Sequence, residues 1–145
     1  MRLFTATMLI TATAACDKIT EICTEVGCNG SLEVSFVREA WEDGTYVVTA
    51  DLGDGNVQTC SLDLSLTAEL SCDFFDVTYD GTTLMVPFAT PMNDGLTDVT
   101  ITLTLADEVL VDEVIAPEWG EPYYPNGEEC DAGYGCLSAE WVFTL

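Results

Sequence analysis

The sequence predicts an all-β chain, and three observations carry that prediction. Turn dipeptides recur along it, the runs between them alternate apolar and polar residues, and no window beyond the first sixteen residues carries a helical stripe. Asp-Gly stands at Asp43-Gly44, Asp54-Gly55, Asp80-Gly81 and Asp94-Gly95, and Asn126-Gly127 adds a related pair. Such pairs accept the positive φ that tight hairpin turns demand.

Taken in order, Leu32–Arg38 places Leu32, Val34 and Phe36 on one face. Thr45–Leu52 turns at Asp54-Gly55 into Asn56–Leu64. Glu69–Tyr79, Thr83–Phe88, Val99–Leu105, Val109–Ala116 and Ala139–Leu145 complete the set. Val99–Leu105 alternates most cleanly, with threonine outward. In the last run Trp141 alternates with Ala139, Phe143 and Leu145, which gives it a core position. Short strands at this spacing predict an antiparallel immunoglobulin-like β-sandwich of about 7–9 strands, stapled by disulfides. A closed barrel is the alternative.

Composition bounds the functions. Of the charged residues 26 are Asp or Glu and 3 are Lys or Arg, a formal charge of −23. Nucleic acid is excluded as a partner, because phosphate neutralisation needs clustered basic residues. Attraction to anionic lipid headgroups is opposed for the same reason. The apolar content, 48%, is too high for a disordered acidic chain. The acids fall instead on outward faces and turns.

The N-terminus speaks about location. Arg2 precedes an apolar stretch, then small residues, then Cys16, the layout of a secretory signal too short to span a bilayer. Ala14-Ala15-Cys16 resembles the lipobox of bacterial lipoproteins, with Thr13 where the usual pattern has leucine. The resemblance implies cleavage before Cys16, which becomes the new N-terminus and is lipidated with palmitate-type chains. The expected organisation is a signal peptide at 1–15, a lipidated cysteine with its tether at 16–30, and the sandwich domain at 31–145. The expected address is the bacterial cell envelope, periplasmic or surface-exposed, with the membrane engaged through the lipid anchor.

Cysteine counting agrees with that address. There are seven, at Cys16, Cys23, Cys28, Cys60, Cys72, Cys130 and Cys136. Lipidation of Cys16 leaves an even set of six, a disulfide framework for an oxidising compartment. Cys60 and Cys72 are expected to pair, because the residues between them fold back as neighbouring strands. Cys23, Cys28, Cys130 and Cys136 bridge either locally or between the two ends of the chain. Neither spacing fits a structural zinc site.

The chain contains no histidine, which removes the commonest general base and the Ser-His and Cys-His pairs. A phosphate-binding glycine loop is absent. No catalytic residues, no metal ligands and no cofactor are assigned, and the chain is read as a non-enzyme. Asp51-Leu-Gly-Asp-Gly-Asn56 clusters oxygen ligands but departs from an EF-hand loop, so at most a weak calcium site is expected.

One segment differs from the tight turns elsewhere. Residues 117–136 combine Trp119, Tyr123, Tyr124 and Tyr134 with Glu128, Glu129 and Asp131. Aromatic faces beside carboxylates can stack sugars, cage a cation or grip a basic surface. The competing expectation is that prolines and aromatics pack as a small core over the sandwich end, held by Cys130 or Cys136. Tyr124-Pro-Asn-Gly-Glu-Glu-Cys130, followed by Cys136 and a terminal strand, resembles uncharacterised small cell-envelope lipoproteins, as does the Cys23 to Cys28 start. That resemblance implies strand order and no function. The expected role is structural, adhesive or interacting, toward an envelope protein or glycan. The alternative is a carbohydrate- or cation-binding module built on the 117–136 loop.

Overall fold

The computed structural model describes residues 30–64, 69–72, 76–90, 96–127 and 135–145. They contain nine strands: β1 (Gly30–Val37), β2 (Thr45–Asp51), β3 (Val57–Asp63), β4 (Glu69–Cys72), β5 (Thr78–Tyr79), β6 (Thr83–Thr90), β7 (Val99–Leu105), β8 (Glu108–Ile115) and β9 (Ser138–Thr144). The expected signal peptide, Cys16, the tether, Cys23, Cys28, Cys130, Glu128, Glu129, Asp131, Tyr134 and the Asp94-Gly95 turn lie outside the described residues.

The strands form a four-stranded sheet of order β5-β6-β1-β9 and a five-stranded sheet of order β4-β3-β2-β7-β8. This is a β-sandwich. The order β9-β1-β6-β5 corresponds to strands A-B-E-D of a variable-type immunoglobulin domain, and β4-β3-β2-β7-β8 to C″-C′-C-F-G. One pairing corrects the all-antiparallel expectation: β9 runs parallel to β1, with Ser31 opposite Ser138 and Val37 opposite Thr144. The first-strand place is thus filled by the C-terminal strand. The connection after β8 returns the chain to the end of the sandwich where β1 begins, so β9 can only run the way β1 runs.

Period-two patterning explains which face is buried. Leu32, Val34 and Phe36 of β1 point inward, as do Leu84, Val86 and Phe88 of β6. Tyr46, Val48 and Ala50 meet them from β2, with Val99, Ile101 and Leu103 from β7. Each fully buried Leu, Val or Phe side chain contributes about 1.5–3 kcal/mol of apolar transfer. Phe36 stacks on Phe143 at 5.3 Å between ring centroids, fastening β9 to β1. Ala139 and Phe143 are buried and Trp141 packs against the core, but Leu145 lies past the strand end and is exposed.

A second correction concerns Glu69–Tyr79, which reads as one strand in sequence. It is two, β4 in one sheet and β5 in the other, since β4 pairs with β3 and β5 with β6. Alternation reports an inside and an outside; it does not report which sheet supplies the partner.

Cys60 and Cys72 are directly opposite on β3 and β4 and form a disulfide, with Cα atoms 4.4 Å apart. Closing a loop of this length contributes about 3 kcal/mol in the chain-entropy account. Cys136 is also disulfide-bonded.

The upper end of the sandwich, where β1 stops and β2 starts, is knitted by aromatic and backbone contacts. Tyr46 is buried; its hydroxyl accepts from Glu42 N and donates to Glu42 O, both at 3.0 Å. Burial pushes its phenol above the ordinary value. Trp41 sits edge-on to Tyr46 and Tyr79, and its indole N–H donates to Thr82 O at 2.9 Å. Arg38 pairs with Glu42 at 2.8 Å. In the β5–β6 turn the Asp80 carboxylate accepts from Thr83 N, Thr82 N and the Thr82 hydroxyl. Those donors, Thr83 N first, hold its carboxyl below the usual carboxylate range.

Candidate functional site

The 117–136 loop belongs to the lower end of the sandwich, between β8 and β9. Its first turn is anchored. Pro117 is buried, and Trp119 packs against the core while donating its indole N–H to Leu96 O at 2.9 Å. Leu96 precedes β7, so Trp119 ties one sheet-to-sheet crossing to another. Gly120 N then donates to Ser138 O at 2.8 Å, laying the loop along the start of β9.

Beyond Gly120 the chain narrows into a hairpin-like neck. Tyr123 and Cys136 exchange backbone bonds, N to O at 2.9 and O to N at 2.8 Å. A turn closed by Gly127 N to Tyr124 O follows, with Gly127 at φ 89°. The Tyr124 ring and Pro122 lie over Gly135: a Cβ there would fall 2.5 Å from Pro122 Cβ and 3.0 Å from Tyr124 Cε1. Gly135 is buried under them. Only a glycine permits that approach, a requirement of contact rather than of backbone angle.

The candidate residues therefore separate. Trp119 faces the core and Tyr124 faces Gly135, so both serve the loop's own packing. Tyr123 is 67% exposed, beside the exposed Glu121 and near the exposed Glu118. Pro122 and Gly127 are exposed as well. An exposed tyrosine can stack on a planar or apolar ring face, and exposed carboxylates can meet a cation.

The Asp51–Asn56 turn has a simpler use. Asp51 Oδ1 accepts from Gly53 N at 2.9 Å, and Asp54 and Gly55 adopt φ of 50° and 79°. Leu52 N–H donates to Asn56 O, and Asn56 N–H to Gly53 O. The short acids and glycines here build the β2–β3 turn. Among the described residues no three His, Cys, Asp or Glu side chains cluster as ligands.

Two residues that carry local order have no signal in the sequence. Gln58 of β3 reaches the other sheet: its amide nitrogen donates to Ala89 O at 2.6 Å and its oxygen accepts from Ala89 N at 3.0 Å. Ala106, in the β7–β8 turn, holds φ of 51° without being glycine, asparagine or aspartate. A turn residue needed only a place where both hairpin strands end together, at Leu105 opposite Glu108.

Comparison with protein-family models, with curated proteins and with solved structures finds no match.

Proposed function

We propose that the chain is a non-enzymatic bacterial cell-envelope lipoprotein: one acidic, disulfide-stapled sandwich held on a lipid tether, acting through contacts with envelope proteins or glycans. The observation that carries this is the pairing of cysteines. Cys60–Cys72 and the disulfide at Cys136 are bridges of the kind an oxidising compartment favours, and lipidation of Cys16 beside Ala14-Ala15 would leave an even set of six cysteines. Seven cysteines in an exported chain call for one with a separate fate, and acylation supplies it.

β1 begins at Gly30, and Ser31 N–H donates to Leu137 O at 2.9 Å, so the described chain enters the domain at the end that carries the 117–136 loop. Expression in a bacterial host with radiolabelled palmitate tests the anchor. Label is expected on the native chain and is lost in Cys16→Ala; equal labelling of the two, or no labelling of either, sinks the proposal.

A second function is favoured by Tyr123, whose exposure beside Glu121 suits a carbohydrate- or cation-binding module. Glycan-array binding, or a rise in melting temperature on adding calcium, is expected from it. Loss of that response in Tyr123→Ala, with the fold intact, would place it at this loop.

A further inference from the structure

The four-stranded sheet has two edges, and only one is closed. On the β5 side, Asp80 N–H donates to Thr83 O, so the backbone groups of Thr83, Met85, Pro87 and Ala89 face outward. Asp80 meets Thr83, and Thr78 of β5 pairs with Met85. Pro87 has no N–H to leave unpaired, and the Gln58 amide takes both groups of Ala89. The edges of the five-stranded sheet are managed too. β4 is four residues long and stapled at Cys72, while β8 is bulged and carries Glu108, Asp112 and Glu113.

β9 is different. Leu137 O accepts from Ser31 N, and Leu145 N donates to Val37 O, so the odd-numbered residues of this strand face β1. The backbone groups of Ser138, Glu140, Val142 and Thr144 face the other way. Gly120 N occupies Ser138 O. Among the described residues nothing meets the groups of Glu140, Val142 and Thr144, and the strand contains no proline, lysine or bulge. Val142 is 61% exposed. Such an edge is a template for another strand.

We propose that this edge joins two copies of the chain, β9 pairing antiparallel with β9 of a second copy about a two-fold axis through Val142. The choice of a second copy comes from the self-complementarity of Glu140-Trp-Val-Phe-Thr144 in that register. Val142 meets Val142 of the other copy. Glu140 falls opposite Thr144, which keeps the carboxylates apart. Trp141 falls opposite Phe143, an aromatic cross-strand pair. Centring the axis on Glu140 would oppose two carboxylates. Centring it on Trp141 would draw in Ser138, whose carbonyl is already taken. The contact is isologous and closes as a dimer, extending the sheet to β5-β6-β1-β9-β9-β1-β6-β5.

The formal charge of −23 on each copy opposes association, so pairing strengthens as salt screens it. Sedimentation of residues 16–145 carrying Cys16→Ser, which removes both the apolar leader and acyl-driven clustering, reads the effect. A dimer is expected at micromolar concentration in about 0.5 M salt, weakening at low salt. Val142→Pro deletes an outward N–H without touching the pairing to β1, and Val142→Lys charges the edge. Each is expected to raise the dimer dissociation constant by about tenfold or more. Circular dichroism reports that the variants still fold, and either one suffices. Amides of Glu140, Val142 and Thr144 are expected to exchange slowly in the dimer and quickly on dilution. A monomer at every salt concentration overturns the proposal, as does a dimer indifferent to both variants. Protection of those amides in a monomer also overturns it, since another part of the chain would then cover the edge.

Discussion

The two ends of the sandwich are each closed by a tryptophan, and they are closed differently. Trp41 lies on the β1–β2 crossing and donates to Thr82 O; Trp119 lies on the β8–β9 crossing and donates to Leu96 O. Trp41 is held among Tyr46 and Tyr79, with short turns around it and side chains already engaged. Trp119 secures only the root of a long connection, whose further part turns Tyr123 and Glu121 outward. The same indole-to-carbonyl device thus ends one connection and supports the projection of another. Long loops on rigid frameworks are where binding surfaces are built.

The largest test of that contrast removes each tryptophan. Trp41→Ala is expected to lower unfolding free energy by about 3 kcal/mol, and Trp119→Ala by about 2 kcal/mol, both near the low side of buried aromatic deletions because the rings are half-buried. Urea unfolding followed by tyrosine and remaining tryptophan fluorescence measures the pair. A greater loss at Trp119 would mean that the loop end, not the aromatic end, holds the sandwich. A smaller effect is expected from Gly30→Ala at the loop end. A Cβ there collides with Thr90 Oγ1 and comes within 2.9 Å of Leu137 O, so about 1–2 kcal/mol should be lost. Thermal melts check it.

At the Trp41 end the effect of Asp80 depends on pH. Its carboxyl in the folded state titrates below the ordinary 3.8 because the charged form accepts three hydrogen bonds. That stabilisation is complete above the ordinary value and disappears as pH falls through the lower folded one. The melting-temperature gap between the native chain and Asp80→Ala should therefore be widest near neutrality and narrow in strong acid. A gap that stays constant with pH would remove the carboxylate from the account. Smallest of all, Ala106→Gly relieves a positive φ and should raise stability by a few tenths to about 1 kcal/mol, the gain being trimmed by glycine's freer unfolded state. Its melt serves as a small-effect comparison at the Trp41 end, where Ala106 N–H donates to Thr45 O.

Much of the frame was legible because burial and alternation have one cause. Leu32, Val34 and Phe36, or Val99, Ile101 and Leu103, announce their strands and inward faces. Cys60 and Cys72 were pairable because a short alternating stretch between them has little choice but to fold back. The division of Glu69–Tyr79 and the direction of β9 were not legible, since period two is silent on which strand lies alongside. Within the loop, composition marked a cluster of aromatics without telling which rings face inward. Only the bonds from Trp119 to Leu96 and the seating of Tyr124 over Gly135 separate them from Tyr123. Gln58 and Ala106 gave no signal, because their roles arise from neighbours distant in sequence or from hairpin ends.

The central claim, an exported domain anchored at Cys16 and stapled by disulfides, is tested most directly by the intact mass of the chain from its native host. The expected mass lacks residues 1–15, carries acyl groups on Cys16, and is six hydrogens short of the reduced form of the remaining six cysteines. A chain still beginning at Met1, or one with Cys16 as an unmodified thiol, would contradict it.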